Sequence, residues 1–234
     1  MRKIRTFSND IDLVREKRSY IVRTAVELIV KRGYNHTSTR ELAAELGMST
    51  GGLYHYIGSK DDILYLIVNF TSDLTQSLLD NCARCNNGSI THHLTECVKL
   101  YMTGVEQYRD FHNFINHVML SLSVNDRRIV YENESRIVAY FENVLTEGVK
   151  RGEFMALDCK CTAHNIVAFA NAWANRGWYL KKYYTVDSYI AEQIEALLTQ
   201  LKGAADPAYI KAHNQFICRS VKGGQEDSKN GFKS

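Results

Sequence analysis

Residues 38–60, Ser-Thr-Arg-Glu-Leu-Ala-Ala-Glu-Leu-Gly-Met-Ser-Thr-Gly-Gly-Leu-Tyr-His-Tyr-Ile-Gly-Ser-Lys, constrain the fold of this chain more than any other segment. They predict two short helices joined by a tight turn. Ser38 with Glu41 three residues on matches a capping box, and the helix it opens runs through Leu42, Ala43 and Leu46 until Gly47 ends it. Ser49 caps a third helix to Tyr56 that buries Leu53. Ser59 caps a long fourth, with Asp61 and Asp62 in the first turn, where the helix dipole favours anions. Upstream, Arg15 to Arg32 carries Ile21, Ala25, Leu28 and Ile29 on one helical face, and Gly33 is placed to stop it.

Beyond Lys60 a helical period continues with few breakers. It predicts helices near 60–80, 90–109, 111–122, 127–151, 158–181 and 187–202, with 151–154 and 183–187 as connections. The single proline, Pro207, agrees with an all-α chain. Four segments are expected: a flexible basic arm (1–14), a three-helix domain (15–60), a larger helical domain (61–203) and a polar, partly disordered tail (204–234). The longest clean apolar run, Ile63 to Val68, is far short of the roughly 18 residues of a membrane span, so no membrane partner is expected. The first ten residues lack the apolar stretch of a secretory signal. Six cysteines (82, 85, 97, 159, 161, 218) follow no disulfide spacing, and together these features predict free thiols and a cytoplasmic location.

The net charge of +3 is unevenly divided. Residues 1–60 hold eleven Lys/Arg against six Asp/Glu, a balance of +5, which leaves −2 for the rest. Polyanion binding confined to the N-terminal quarter follows. A helix-turn-helix sets the start of its second helix against base edges in the major groove of DNA. Here that start is Ser49-Thr50-Gly51-Gly52. Each glycine costs a helix roughly 1 kcal/mol relative to alanine, which suggests close approach of backbone to DNA. Thr50 offers a hydroxyl and a methyl to base edges, and Arg40 a fork for guanine. Tyr54, His55 and Tyr56 can reach phosphates, and Lys60 lies beside free N–H groups at the next helix start. Each has a plainer alternative. Tyr54 and Tyr56 could be packing aromatics, Tyr56 the more so. His55 could be an idle surface side chain, and Arg40 could pair with Glu41 or Glu45. Ser49 is a cap in either case.

The run Gly33-Tyr34-x-x-Thr37-Ser38-x-x-Glu41-Leu42-Ala43-x-x-Leu46-Gly47-Met48-Ser49-x-Gly51-x-Leu53-Tyr54-x-Tyr56-Ile57-x-Ser59-Lys60 resembles the tetracycline-repressor (TetR) family of bacterial regulators, from near Arg15 to Leu64. The resemblance implies that Thr39 and Arg40 touch phosphate or base. It also implies that Thr50, Gly51 and Gly52 face bases, while Tyr54, His55, Tyr56 and Lys60 bind mainly phosphate. Gly52 stands where the family usually has threonine, serine or alanine, and Ile57 where phenylalanine is common. The first departure removes a possible base contact.

For residues 61–203 the resemblance implies an all-helical ligand domain whose last two long helices form a four-helix bundle with a second subunit. Ile166, Phe169, Ala170, Trp173 and Gly177 in helix 158–181, with Ile190, Ile194, Leu197, Leu198 and Leu201 in helix 187–202, offer apolar faces for a homodimer. The same faces could serve as monomer core. Tyr101, Tyr108, Phe111, Phe114, His117 and Met119 could line a tunnel for a bulky apolar effector, or simply be core. The segment Trp173 to Tyr179, with Arg176 and Trp178, is similar to the corresponding helix end in family members that sense acyl-coenzyme A thioesters. There Arg176, Lys181 or Lys182 could meet coenzyme phosphates, or only complement a helix dipole. Phe169 and Trp173 join the expected ligand site on this basis. The resemblance further implies a repressor released from a palindromic operator when a ligand tilts the helix that starts at Lys60.

Two rival readings remain. Cys82-x-x-Cys85 lies upstream of His92, His93 and Cys97, so a metal- or thiol-redox-responsive regulator could use Cys82, Cys85, His93 and Cys97. Adjacent His92 and His93 point to different sides of a helix, which leaves the fourth ligand in doubt; neither a metal nor a cofactor is expected. An enzyme needs a nucleophile–base pair, a carboxylate constellation or a phosphate loop. Gly51-Gly52 follows a helix rather than a strand, so no catalytic role is expected.

Overall fold

The computed structural model describes residue 4 and residues 10–34, 36–85 and 88–203. Within these the regular elements are helices: α1 (Ile11–Arg32), α2 (Thr39–Glu45), α3 (Thr50–Tyr54), α4 (Lys60–Arg84), α5 (Ile90–Gln107), α6 (Arg109–Val118), α7 (Val124–Lys150), α8 (Cys159–Leu180) and α9 (Val186–Lys202). A 3-10 turn, Met119–Ser121, extends α6. The fold is all-α, with a three-helix N-terminal region followed by a larger helical bundle. Most of the arm (residues 1–3 and 5–9) and the whole tail (204–234) lie outside the described residues.

Side chains set the helix starts. Ser38 and Glu41 form the expected capping box. Ser59 forms a second with Asp62, whose buried carboxylate is the reciprocal cap rather than only a dipole partner. Helix α1 starts earlier than the apolar period alone indicates, because the Asp10 side chain accepts from the Leu13 N–H. Gly33 stops α1 at φ 85°, and Gly47 makes the turn between α2 and α3 at φ 68°.

Two apolar clusters hold the molecule together. One joins α1, α2, α3, the first half of α4 and α6, through Ile21, Ala25, Leu42, Leu53, Ile67 and Phe114. The other joins α5, α7, α8 and α9 with the end of α4, through Leu94, Met102, Phe141, Ile166, Trp173 and Leu201. Helix α6 therefore packs on this N-terminal core although it follows α5 in sequence. Phe114 and Met119, expected to line a ligand tunnel, belong to this N-terminal core and are absent from the cavity lining.

The apolar faces expected to pair subunits lie inside one chain. Ile166, Ala170, Trp173, Ile190, Ile194, Leu197 and Leu201 are all buried in the monomer, and Phe169 and Leu198 are packed against them. The monomer-core alternative is therefore correct for those side chains. Each helix uses its strongest apolar stripe to close its own chain, while Phe169 and Leu198 stay partly exposed.

The turn after α7 does more than connect. Phe154, buried, folds back onto the bare backbone of Gly148 so closely that a Cβ there would lie 2.1 Å from the ring. Beside it the Glu153 carboxylate accepts from the backbone N–H of Ile90 and of Thr91, both at 3.0 Å, and so caps α5 across the fold.

Candidate functional site

The start of α3 is bare and outward. Ser49 is spent on its helix, its hydroxyl accepting from the Gly52 N–H at 3.0 Å. A Cβ on Gly51 would meet only that hydroxyl, 3.9 Å away, so nothing inside the protein requires glycine there. At Gly52 a Cβ would press on the Ser49 hydroxyl at 3.3 Å. Thr50 is half-exposed, Gly51 and His55 are exposed, and Arg40 is exposed without an ion pair among the described residues. Glu41, one of the two partners considered for Arg40, pairs instead with Arg32 at 3.2 Å.

The aromatics divide as their neighbours dictate. Tyr54 is exposed, and its hydroxyl lies 3.3 Å from that of Thr39, tying the two reading helices together at their outer edge. Tyr56 is half-buried against the N-terminal core. Lys60 is held over the Tyr34 ring, 4.3 Å from its centroid, and donates to the Tyr34 carbonyl at 2.8 Å. The Tyr34 hydroxyl donates to Asp61 at 3.2 Å; burial and that carboxylate push its pKa up to about 12.

One positioning residue carries no signal in the sequence. Arg18 donates through Nε to the Tyr56 carbonyl at 3.0 Å and through Nη2 to the Ile4 carbonyl at 3.2 Å. It braces the end of α3 against α1. Burial lowers its pKa, opposed by nearby Asp62. Asp62 accepts from the N–H of Gly58 at 2.7 Å and of Ser59 at 2.9 Å, which fastens the α3–α4 turn to α4. Helices α3 and α4 are thus one mechanical piece.

A cavity of about 380 Å³ lies among α4, α5, α6, α7 and α8, within the size range of small-molecule sites. Of the expected ligand residues, Tyr101, Tyr108 and Phe111 line it. Phe111 also packs its ring, tilted, against Phe70 of α4, with ring centroids 4.9 Å apart, and belongs to the N-terminal core. His117 is exposed and bonded through Nδ1 to the Asn113 carbonyl at 2.6 Å. Trp173 is sealed in the other core, donating to Glu106 at 2.8 Å and stacked on Tyr189. Arg176 sits at a break in helical geometry in α8 and is exposed, outside the cavity lining. Trp178, 74% exposed, lines a separate open cleft together with Arg109, Lys181 and Lys182.

Residues 21–65 match the model of bacterial regulatory proteins of the tetR family, and residues 87–200 match the tetracyclin repressor-like C-terminal domain. The chain belongs to the TetR family. It is 26% identical over 198 residues to the HTH-type transcriptional regulator HbdR of Aromatoleum sp. (strain CIB), covering 83% of this chain and 85% of that relative. Two solved structures share the fold. AibR, in complex with isovaleryl coenzyme A and operator DNA, has a TM-score of 0.66 at 23% identity, over 77% of this chain and 97% of that one. FadR from Bacillus subtilis, in complex with stearoyl-CoA, has a TM-score of 0.62 at 18% identity, over 78% and 98%.

As a TetR-family regulator the chain binds DNA through its helix-turn-helix and responds to a ligand; regulators of this family are not catalysts. No helix of the described residues is long and apolar enough to cross a membrane. The cysteine-rich alternative gains no support. Among the described residues no group of three or more metal-binding side chains is assembled. Cys82 and Cys97 are buried, and Tyr140 donates to or accepts from His93 Nε2 at 3.1 Å, which makes this cluster an internal hydrogen-bonded seam between α5 and α7.

Proposed function

We propose that this regulator is a cytoplasmic homodimeric repressor, released from a palindromic operator by a small, largely apolar effector of the acyl-coenzyme A class. The observation that carries the proposal is the double membership of α6. Phe111 and Ile115 line the cavity and also belong to the core that holds α1, α3 and α4. An occupant that displaces them acts directly on the helices that position the reading head. It can shift the balance only by its difference in affinity for the two shapes. The acyl-coenzyme A class draws support from the ligands of AibR and FadR, and from a cleft of Lys182 with Arg109 and Lys181, the latter two also paired with Glu106, beside Trp178 on the opposite flank of α6.

In this mechanism residues 15–60 form the head and 61–203 the ligand and dimer domain. Thr50, Gly51 and Gly52 face base edges, and Arg40 reads guanine. Thr39, Tyr54, His55, Tyr56 and Lys60 hold phosphates, and Ser49 keeps α3 wound. Two heads about 34–36 Å apart would read a palindrome. The second subunit docks on the outward side of α8 and α9, where Cys161, Asn165, Ala168 and Tyr179 remain exposed at helical spacing.

The test is fluorescence anisotropy on duplexes tiled across the chain's own promoter region, titrated with isovaleryl-CoA, octanoyl-CoA and free coenzyme A. Release by an acyl thioester and not by the free coenzyme is expected. Binding that is indifferent to every thioester would remove the effector class.

A further inference from the structure

The cavity wall carries polar groups that the protein itself leaves unused. Asn133 is buried; its Oδ1 accepts from the Ser72 hydroxyl at 3.1 Å, while its Nδ2 has no partner. Tyr101, 4% exposed, lines the same cavity, and its hydroxyl makes no hydrogen bond among the described residues. A buried donor without a partner, as at Asn133, is rare in folded proteins and calls for a water, an ion or a ligand to complete it. Across the same cavity lies the His112 ring.

The wall is also free of positive charge. Its lining includes neither lysine nor arginine, and its one carboxylate, Glu134, is exposed. Burial lowers the pKa of His112, so its ring is neutral near pH 7 and offers no counter-charge. Burial, then Glu134, raises that of Tyr101, which remains a neutral donor. A carboxylate entering this space would lose its hydration and gain no cation in return. A carbonyl oxygen would instead gain two donors and bury no charge.

We propose that the cavity selects by charge: Tyr101 and Asn133 donate to a hydrogen-bond acceptor on an uncharged acyl group, and the corresponding free carboxylic acid is rejected. The inference rests on this cavity being the effector site. It makes Tyr101 and Asn133 specificity residues for thioester, ester or amide over acid.

Isothermal titration of the full-length protein at pH 7.5 with octanamide and with sodium octanoate tests it. Octanamide is expected to bind at least about tenfold more tightly than octanoate. Tyr101→Phe and Asn133→Leu should each weaken octanamide about fivefold to tenfold and narrow that gap, with folding checked by thermal melts. Equal affinity for the two probes, no binding of either, or variants that leave the ratio unchanged would overturn the proposal. The wild-type comparison stands even if a variant fails to fold. If octanoyl-CoA releases the operator while the two probes bind alike, charge selection fails and the effector class survives. If octanamide is preferred while the operator ignores every thioester, the effector class fails and charge selection survives.

Discussion

At Gly51 the demands of folding can be separated from those of the proposed DNA contact. Its missing Cβ would meet open space apart from the Ser49 hydroxyl 3.9 Å away, so alanine fits the protein and suits a helix better. Gly51→Ala should therefore leave stability unchanged or raise it by about 0.5–1 kcal/mol, by urea denaturation. Operator affinity should fall, because the added methyl stands between backbone and base edges. An alanine variant with full operator affinity would mean that this helix start does not approach DNA closely. Lys60 and Arg40 make a second contrast. Lys60→Ala should weaken binding about equally on every duplex and reduce the log–log salt slope by about one. Arg40→Ala should instead alter preference at particular base pairs, which a randomised-site selection would read. The residue types at 49–60 made the helix-turn-helix legible in the sequence. Arg18 was not legible, because its targets are backbone carbonyls of Tyr56 and Ile4, which leave no mark on residue identity.

Helix starts were legible for a physical reason: each needs a side chain to satisfy free N–H groups, and Ser38, Ser49 and Ser59 stand where those groups occur. Contacts across the fold were not. The 151–154 connection gives no sign that Phe154 seals Gly148 or that Glu153 caps α5. Both devices predict sharp effects. Gly148→Ala drives a methyl to 2.1 Å from the Phe154 ring and should cost about 1–3 kcal/mol in thermal or urea melts. Glu153 has its pKa lowered by the N–H groups of Thr91 and Ile90. Its contribution to stability is complete above the ordinary glutamate value of 4.5, and is lost as pH falls through the lower folded-state value. Urea midpoints measured between pH 7 and 3 should therefore drop in the acid range for the wild type. Glu153→Gln, which cannot lose a charge, should begin lower and drop less across the same window. Parallel curves for the two proteins would show that this carboxylate does not act as the α5 cap.

For the whole molecule, a 3.6-residue apolar period shows which side of a helix avoids water. It does not show whether the neighbour belongs to the same chain. Helices α8 and α9 turn their strongest apolar stripes, Ile166 to Trp173 and Ile190 to Leu201, into their own core. What remains outside on α8 is a smoother face, with Ala168 exposed between Asn165 and the half-buried Ala172. Small side chains let two helix axes come close, so this face suits a second copy by shape more than by apolar area. The cavity is readable only in part for a related reason: Tyr101, Tyr108 and Phe111 were expected in it, whereas Asn133 comes from α7 and shares no spacing with them along the chain. The subunit contact can be tested without touching the core. Ala168→Arg places a long charged side chain on an exposed position, so the monomer fold and its melting temperature should change little. Light scattering should then report a monomer where the wild type is a dimer, and operator affinity should fall by orders of magnitude. The reason is that one head makes half the phosphate contacts and loses the linkage that makes the second binding step intramolecular. A variant that stays dimeric and binds the operator fully would move the subunit contact off this face of α8.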